Sequence, residues 1–197
     1  NISGNFEEGG TLTSDITSIA DPDGIASTSY AWEMADSENG TYTAASGTND
    51  GAGYTIASDQ SMVDKWIRLK VTVVDTFGVE SIFYSTASQI ANVNDPPLVV
   101  KDISNIVVNE DASGIELDLS EYFNDVDGDT LTFGATSSDT SLVEVDVSGS
   151  ILELSFVENA YGATTVNVTA EDPAGATTTI NFDVSINPVD DPATGSV

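Results

Sequence analysis

The stretch Val93-Asn94-Asp95-Pro96-Pro97 returns as Val189-Asp190-Asp191-Pro192-Ala193, 96 residues further on (93 to 189). A self-similarity with a period the size of one small β-sandwich points to tandem repeats. Pro96 and Pro97 cannot continue a strand ladder and stiffen the chain, so residues 94–97 read as a short, firm linker. The expected domains are therefore 1–93 and 98–189, with 190–197 opening the next linker and domain. The 197 residues suit two domains of about 100 residues each. The opening Asn1-Ile2-Ser3-Gly4 reads as the middle of a strand, so the expectation is a piece of a longer chain.

Outward from the linker, both halves read as short strands between Gly, Asp and Asn turns. Tyr30, Trp32 and Met34 alternate with Ala31 and Glu33, and Ile67, Leu69, Val71 and Val73 with Arg68, Lys70 and Thr72. In the second half the runs are Leu117/Leu119, Val143/Val145/Val147, Leu152/Leu154/Phe156, Val166/Val168 and Ile180/Phe182/Val184/Ile186. Period-two alternation buries one face of a strand. About seven such strands per half predict an all-β chain of two antiparallel sandwiches joined end to end. Trp32, with apolar residues two positions either side, reads as a packing centre. One helical turn is expected near Ser58–Val63.

Composition narrows the chemistry. There are 33 Asp and Glu against four Lys and Arg, a formal net charge of -29. Phosphates would be repelled, which argues against nucleic acid, and so would an anionic membrane surface. A fold carrying that charge repels itself unless cations bind it or salt screens it; the clustering of the acids favours cations. With neither Cys nor His, the chain has no thiol nucleophile, no Ser-His-Asp relay and no ordinary zinc site. No apolar run approaches the roughly 18 residues of a membrane span. Acid pairs abound, but nothing suggests a cleft that would desolvate one of them, so an enzyme is not expected.

Antiparallel order fixes where the acids fall. The B–C and F–G loops of a sandwich lie at one end, the A–B and E–F loops at the other. In the second half the first end holds Asp125-Val126-Asp127-Gly128-Asp129 and Asp172. The opposite end of the first half holds Glu8 and, in its E–F region, Asp59 or Asp64. Asn94 and Asp95 lie in the linker. Calcium fits such a set best, because it takes six to eight oxygens at flexible geometry. Asp21, Asp23 and Asp75 repeat the pattern in the first half, and Glu110, Asp190 and Asp191 at the far end of the second; both are expected to be weak half-sites. Asp125–Asp129 is no EF-hand, since Thr130 stands where that loop needs Gly. Lys65, Arg68 and Lys70 form the one basic cluster and read as a guard on a strand edge. The segment Asp36–Gly53, with Tyr42 and Tyr54 nearby, offers an alternative role as a carbohydrate- or peptide-binding module.

Asn109-Glu110-Asp111, Tyr122–Asp129, Glu171–Gly175 and Asp191-Pro192 resemble the cadherin-like repeats of bacterial surface proteins. Gly9–Leu12, Tyr30-Ala31-Trp32, Tyr54-Thr55-Ile56, Asp64–Leu69 and Val74–Gly78 resemble the immunoglobulin-like repeats of large bacterial adhesins. Together these motifs span nearly the whole chain. The resemblance implies the extender region of an RTX-type adhesin at the bacterial cell surface, involved in biofilm. It implies calcium-rigidified linkers, with ligands at Glu110, Asp127, Asp129, Asp172 and Asp95. It also implies neighbouring repeats of the same chain as partners and a monomer in isolation. The Gly-Gly-x-Gly-x-Asp nonapeptide of the secretion-linked β-roll is absent, as is a cadherin-type Asp-Arg-Glu in the first half.

Overall fold

A computed structural model describes residues 1–47 and 51–190 of the chain. Contacts divide the protein into two units, Asn1–Val93 and Asn94–Val197. No helix among the described residues is long and apolar enough to cross a membrane.

Unit 1 contains β1 (Ile2–Gly4), β2 (Thr11–Ser14), β3 (Ile25–Ala35), β4 (Thr43–Ala44), β5 (Gly53–Thr55), β6 (Trp66–Asp75), β7 (Glu80–Tyr84) and β8 (Ser88–Gln89). One sheet runs β1-β2-β5; the other runs β4-β3-β6-β7, with β8 continuing on β6. The alternation in β6 does what it should: Ile67, Leu69, Val71 and Val73 are buried, while Arg68, Lys70 and Thr72 are half-buried on the other face. Trp32 of β3 is fully buried, its ring 5.6 Å from that of Tyr54 and its indole N–H donating to Gly51 O at 3.0 Å. Truncating such a residue to Ala costs about 3–5 kcal/mol.

Unit 2 contains β9 (Leu98–Val99), β10 (Ile106–Asn109), β11 (Ile115–Asp118), β12 (Phe123–Asn124), β13 (Thr132–Ser137), β14 (Val143–Ser148), β15 (Ile151–Phe156), β16 (Gly162–Glu171) and β17 (Thr177–Asn187). Its sheets run β10-β17-β16-β13 and β11-β15-β14, with β12 paired to β9. Leu119, Val143, Leu152, Leu154, Val166, Val168 and Val184 fill its core without exposure. The all-β sandwich class expected from the sequence is what the chain forms.

Several local expectations are corrected. β10 pairs with β17 in parallel, not antiparallel, from Ile106↔Val184 to Asn109↔Asn187. The helical turn lies at Leu119–Glu121, as a 3-10 turn capped by Asp118, whereas Ser58–Val63 is bend and turn. The basic residues guard no edge, because β6 is central in its sheet. Arg68 instead pairs with Glu33 at 2.8 Å, between the rings of Tyr42 and Tyr84. Tyr54 presents nothing to solvent: it is buried, its hydroxyl donating to Ser46 O.

Candidate metal centre

The acids of unit 2 are gathered by two turns. Phe123, buried at the start of β12, anchors the strand that delivers the chain into Asp125. Asp125 Oδ1 accepts the amide of Asp127 at 2.8 Å, and Gly128 N donates to Asp125 O. Gly128 takes φ +78°, a conformation in which glycine carries no Cβ penalty. This fold-back brings one carboxylate oxygen each from Asp125, Asp127 and Asp129 within 4.8 Å of one another. Asp125 is only 6% exposed, and its Oδ2 has no hydrogen-bond partner. Burying an ionised oxygen unpaired is expensive, and native folds rarely leave one so.

The second turn supplies Asp172, 4% exposed at the end of β16. Its Oδ1 accepts Ala176 N and its Oδ2 accepts Asn94 Nδ2, both at 2.8 Å. Asp95 N donates to Asp127 Oδ2 at 2.8 Å. Residues 94 and 95 are thus fastened to the loops of unit 2, one to each turn. The electrostatics differ between the two acids. The Asn94 amide, with backbone N–H groups of 174–176, holds Asp172 below the ordinary carboxylate value despite its burial. Asp129 is pushed above that value, first by desolvation and then by the charges of Asp125, Asp127 and Asp172.

This donor set suits a hard cation. All its groups are oxygen donors, three are carboxylates within reach of one another, and one buried oxygen lacks a partner. Asp172 keeps lone pairs beyond its two hydrogen bonds, and Asn94 adds an amide oxygen. Calcium tolerates a flexible, carboxylate-rich shell, whereas magnesium demands a stricter octahedron.

The remaining predicted residues are distributed as follows. Asp21, Asp23 and Asp75 share one end of unit 1: Asp21 Oδ1 accepts Asp23 N, and Asp75 Oδ1 accepts the amides of Phe77 and Val79. Glu8 is buried in unit 1, where Gln60 donates its backbone N–H to Oε1 at 2.9 Å and its side-chain amide to Oε2 at 3.0 Å. Asp59 Oδ1 accepts from Ser61, and Asp64 Oδ1 from Gln89 Nε2 at 3.4 Å, so both acids of that region have local partners. In unit 2 Glu110 is buried, with Oε1 accepting Val189 N at 2.5 Å, and Asp190 is exposed. Asp191 lies outside the described residues.

Sequence reasoning missed Gln60 and Asn159. Both have positive φ, and their backbone amides reach Glu8 and Asp111 respectively. Only the turn chemistry of Asn, Asp and their amides hints at such positions. A second signal was legible but unread. Asp15, Asp59, Asp118 and Asp139 each stand two residues before a Thr or Ser whose hydroxyl and amide donate to the carboxylate. Those donors, side-chain hydroxyl first, lower all four pKa values. These acids cap turns.

The model of the bacterial Ig domain family matches residues 94–185. No curated protein is a match. Among solved structures, human mucin-like protocadherin EC1-2 is similar over 96% of this chain and 99% of its own, at 13% identity and TM-score 0.50. Protocadherin gamma B2 extracellular cadherin domains 1–5 align at 15% identity and TM-score 0.45, over 91% of this chain, which spans 36% of that structure. An endo-fucoidan hydrolase of glycoside hydrolase family 107 aligns at 14% identity and TM-score 0.38, over 72% of this chain and 21% of its own. The chain thus has an Ig/cadherin-like β-sandwich fold, and its residues 94–185 are similar to the bacterial Ig domain family.

Proposed function

We propose that the chain is a calcium-stiffened extender of an extracellular bacterial adhesin, a spacer and not an enzyme. The observation that carries the reading is the buried, unpartnered Asp125 Oδ2 beside the carboxylates of Asp127 and Asp129. Asp125, Asp127, Asp129 and Asp172 would hold the ion, with Asn94 and Asp95 tied to the same turns. Bound calcium supplies the positive charge that the cluster lacks. The chain's own part is to hold these acids together by two glycine turns and to fasten residues 94–95 to them. Fixing the linker at unit 2 in this way limits its freedom at the boundary, which is what a spacer needs. For an extracellular module a Kd near 10⁻⁴ to 10⁻³ M, about that of other such sites, is expected.

The test is calorimetric titration with calcium, with magnesium at matched ionic strength as control, followed by small-angle scattering. Calcium-specific heat and a narrower distance distribution support the reading. Equal responses to both ions would reduce the acids to a salt-screened surface; binding without any change in scattering would sink the spacer role alone.

A further inference from the structure

The outward faces of the two long paired strands differ between the units. On β16 and β17 the outward residues pair as Thr165↔Asp183, Asn167↔Asn181 and Thr169↔Thr179, polar throughout. On β6 and β7 they pair as Lys70↔Tyr84 and Thr72↔Ile82, with Arg68 next along β6. Tyr84 is 53% exposed and Ile82 45%. A chain with 33 acids and four Lys and Arg thus sets two of those four, with two tyrosines, on one sheet face.

The two cations of this face are in different states. The Arg68 guanidinium lies 3.9 Å from the Tyr42 ring centre and 4.2 Å from that of Tyr84. Its Nε and Nη2 donate to Glu33 Oε2 at 3.0 and 2.8 Å. Glu33 therefore neutralises Arg68, whose part is to hold the Tyr84 ring on the sheet. Lys65, Arg68 and Lys101 each have a carboxylate oxygen at 3.5 Å or less, whereas Lys70 has no ion pair among the described residues. Residues directly opposite in an antiparallel ladder have Cβ atoms about 5 Å apart. The free ammonium of Lys70 and the exposed ring of Tyr84 are thus neighbours across one ladder position.

The geometry points to a binding site on this face for a singly carboxylated pyranose, a sugar of the glucuronic acid class. The apolar C–H face of the sugar stacks on Tyr84 beside Ile82, and its carboxylate accepts from Lys70. β6 is hydrogen-bonded on both sides, by β3 and β7, so the face offers a ring and an ammonium but no free main-chain groups along β6. That favours a sugar over an extended peptide, which docks through its backbone. A single carboxylate, not a polyanion, is what one free cation on a strongly acidic chain can hold. Calcium takes no part, and the site adds a ligand to a unit otherwise read as a spacer.

The experiment titrates methyl β-D-glucuronide into the full chain, in EDTA and physiological salt, and follows backbone amide shifts by NMR. Methyl β-D-glucoside, which lacks only the carboxylate, and N-acetylglutamic acid α-amide, a carboxylate without the ring, are the comparison ligands. Shifts should be confined to Tyr42 and residues 68–72 and 80–84, with the glucoside weaker by about tenfold. Lys70→Gln should weaken glucuronide binding by about tenfold and Tyr84→Ser by about fivefold, while Lys70→Arg, which keeps the charge, should retain it. Absence of shifts on this face would overturn the proposal. So would an equal response to the glucoside or to the glutamate derivative, or glucuronide binding that survives both Lys70→Gln and Tyr84→Ser.

Discussion

Asp21-Pro22-Asp23-Gly24-Ile25 and Asp125-Val126-Asp127-Gly128-Asp129 make the same turn in the two units. Each first Asp accepts the amide two residues on, and each Gly takes positive φ and donates to that Asp's carbonyl. Asp75 and Asp172 likewise head matching turns closed by Gly78 and Gly175. Yet Gly24 leads straight into β3, whereas residues 129–131 intervene before β13. Unit 1 therefore lacks the third acid, and none of Asp21, Asp23 or Asp75 is buried. The turn skeleton alone makes an acidic loop. A third carboxylate and burial are what turn it into a candidate cation site.

The largest effect that can test this difference is thermal. Calcium at ten times Kd adds about 1.4 kcal/mol per site by mass action, which for a domain of this size raises Tm by about 5–10 °C. The rise is expected in the unit 2 transition alone, followed by calorimetry in calcium and in EDTA. An equal shift in both units would erase the distinction.

Next in size, Asp125→Asn keeps the acceptor for Asp127 N and removes the charge. Titration calorimetry should show calcium affinity falling by about tenfold, equivalent to 1.4 kcal/mol. Asp21→Asn should leave the measured affinity of the chain unchanged.

Asp129→Asn gives a smaller effect whose sign depends on calcium. In EDTA the substitution relieves repulsion and raises the unit 2 Tm; in calcium it removes a ligand and lowers it. The pH dependence follows. A raised acid adds stability fully present below 3.8 and lost as pH rises through its folded value. A lowered acid such as Asp172 adds stability present above 3.8 and lost as pH falls through its folded value. The gain from Asp129→Asn in EDTA should therefore be full at neutral pH and vanish in strong acid, while the Asp172 acid loss remains. A Tm gain that is flat across the pH series would remove the repulsion argument.

The smallest effect is expected from Ile25→Asp. Adding the third acid to the exposed, shorter loop of unit 1 should create no measurable second calcium site by calorimetry. A second site of similar affinity would show that charge count suffices and burial does not matter.

The strands were legible because period-two alternation directly encodes burial, as β6 and β16 show residue by residue. The acids of the B–C and F–G turns could be placed at one end because antiparallel order permits little else. The parallel β10–β17 pair was not legible, since four residues carry no mark of strand direction. Nor was the rank among acids. Asp139 and Asp125 are the same residue type, and only the hydroxyl of Ser141 and the burial beneath Asp125 distinguish a turn cap from a candidate ligand.

That parallel pairing also governs how each unit answers a pull on its ends. Tension on unit 2 draws β10 and β17 past one another, so the hydrogen bonds from Ile106↔Val184 to Asn109↔Asn187, with Glu110 N→Asn187 O, are sheared together and must fail as a group. Among the described residues unit 1 has at that place one parallel bridge, Glu7↔Ala91, made by Glu8 N→Ala91 O and Ala91 N→Phe6 O. Stretched in series, unit 1 should lengthen first and spare unit 2, an order that force spectroscopy on the chain would read as two unequal unfolding steps.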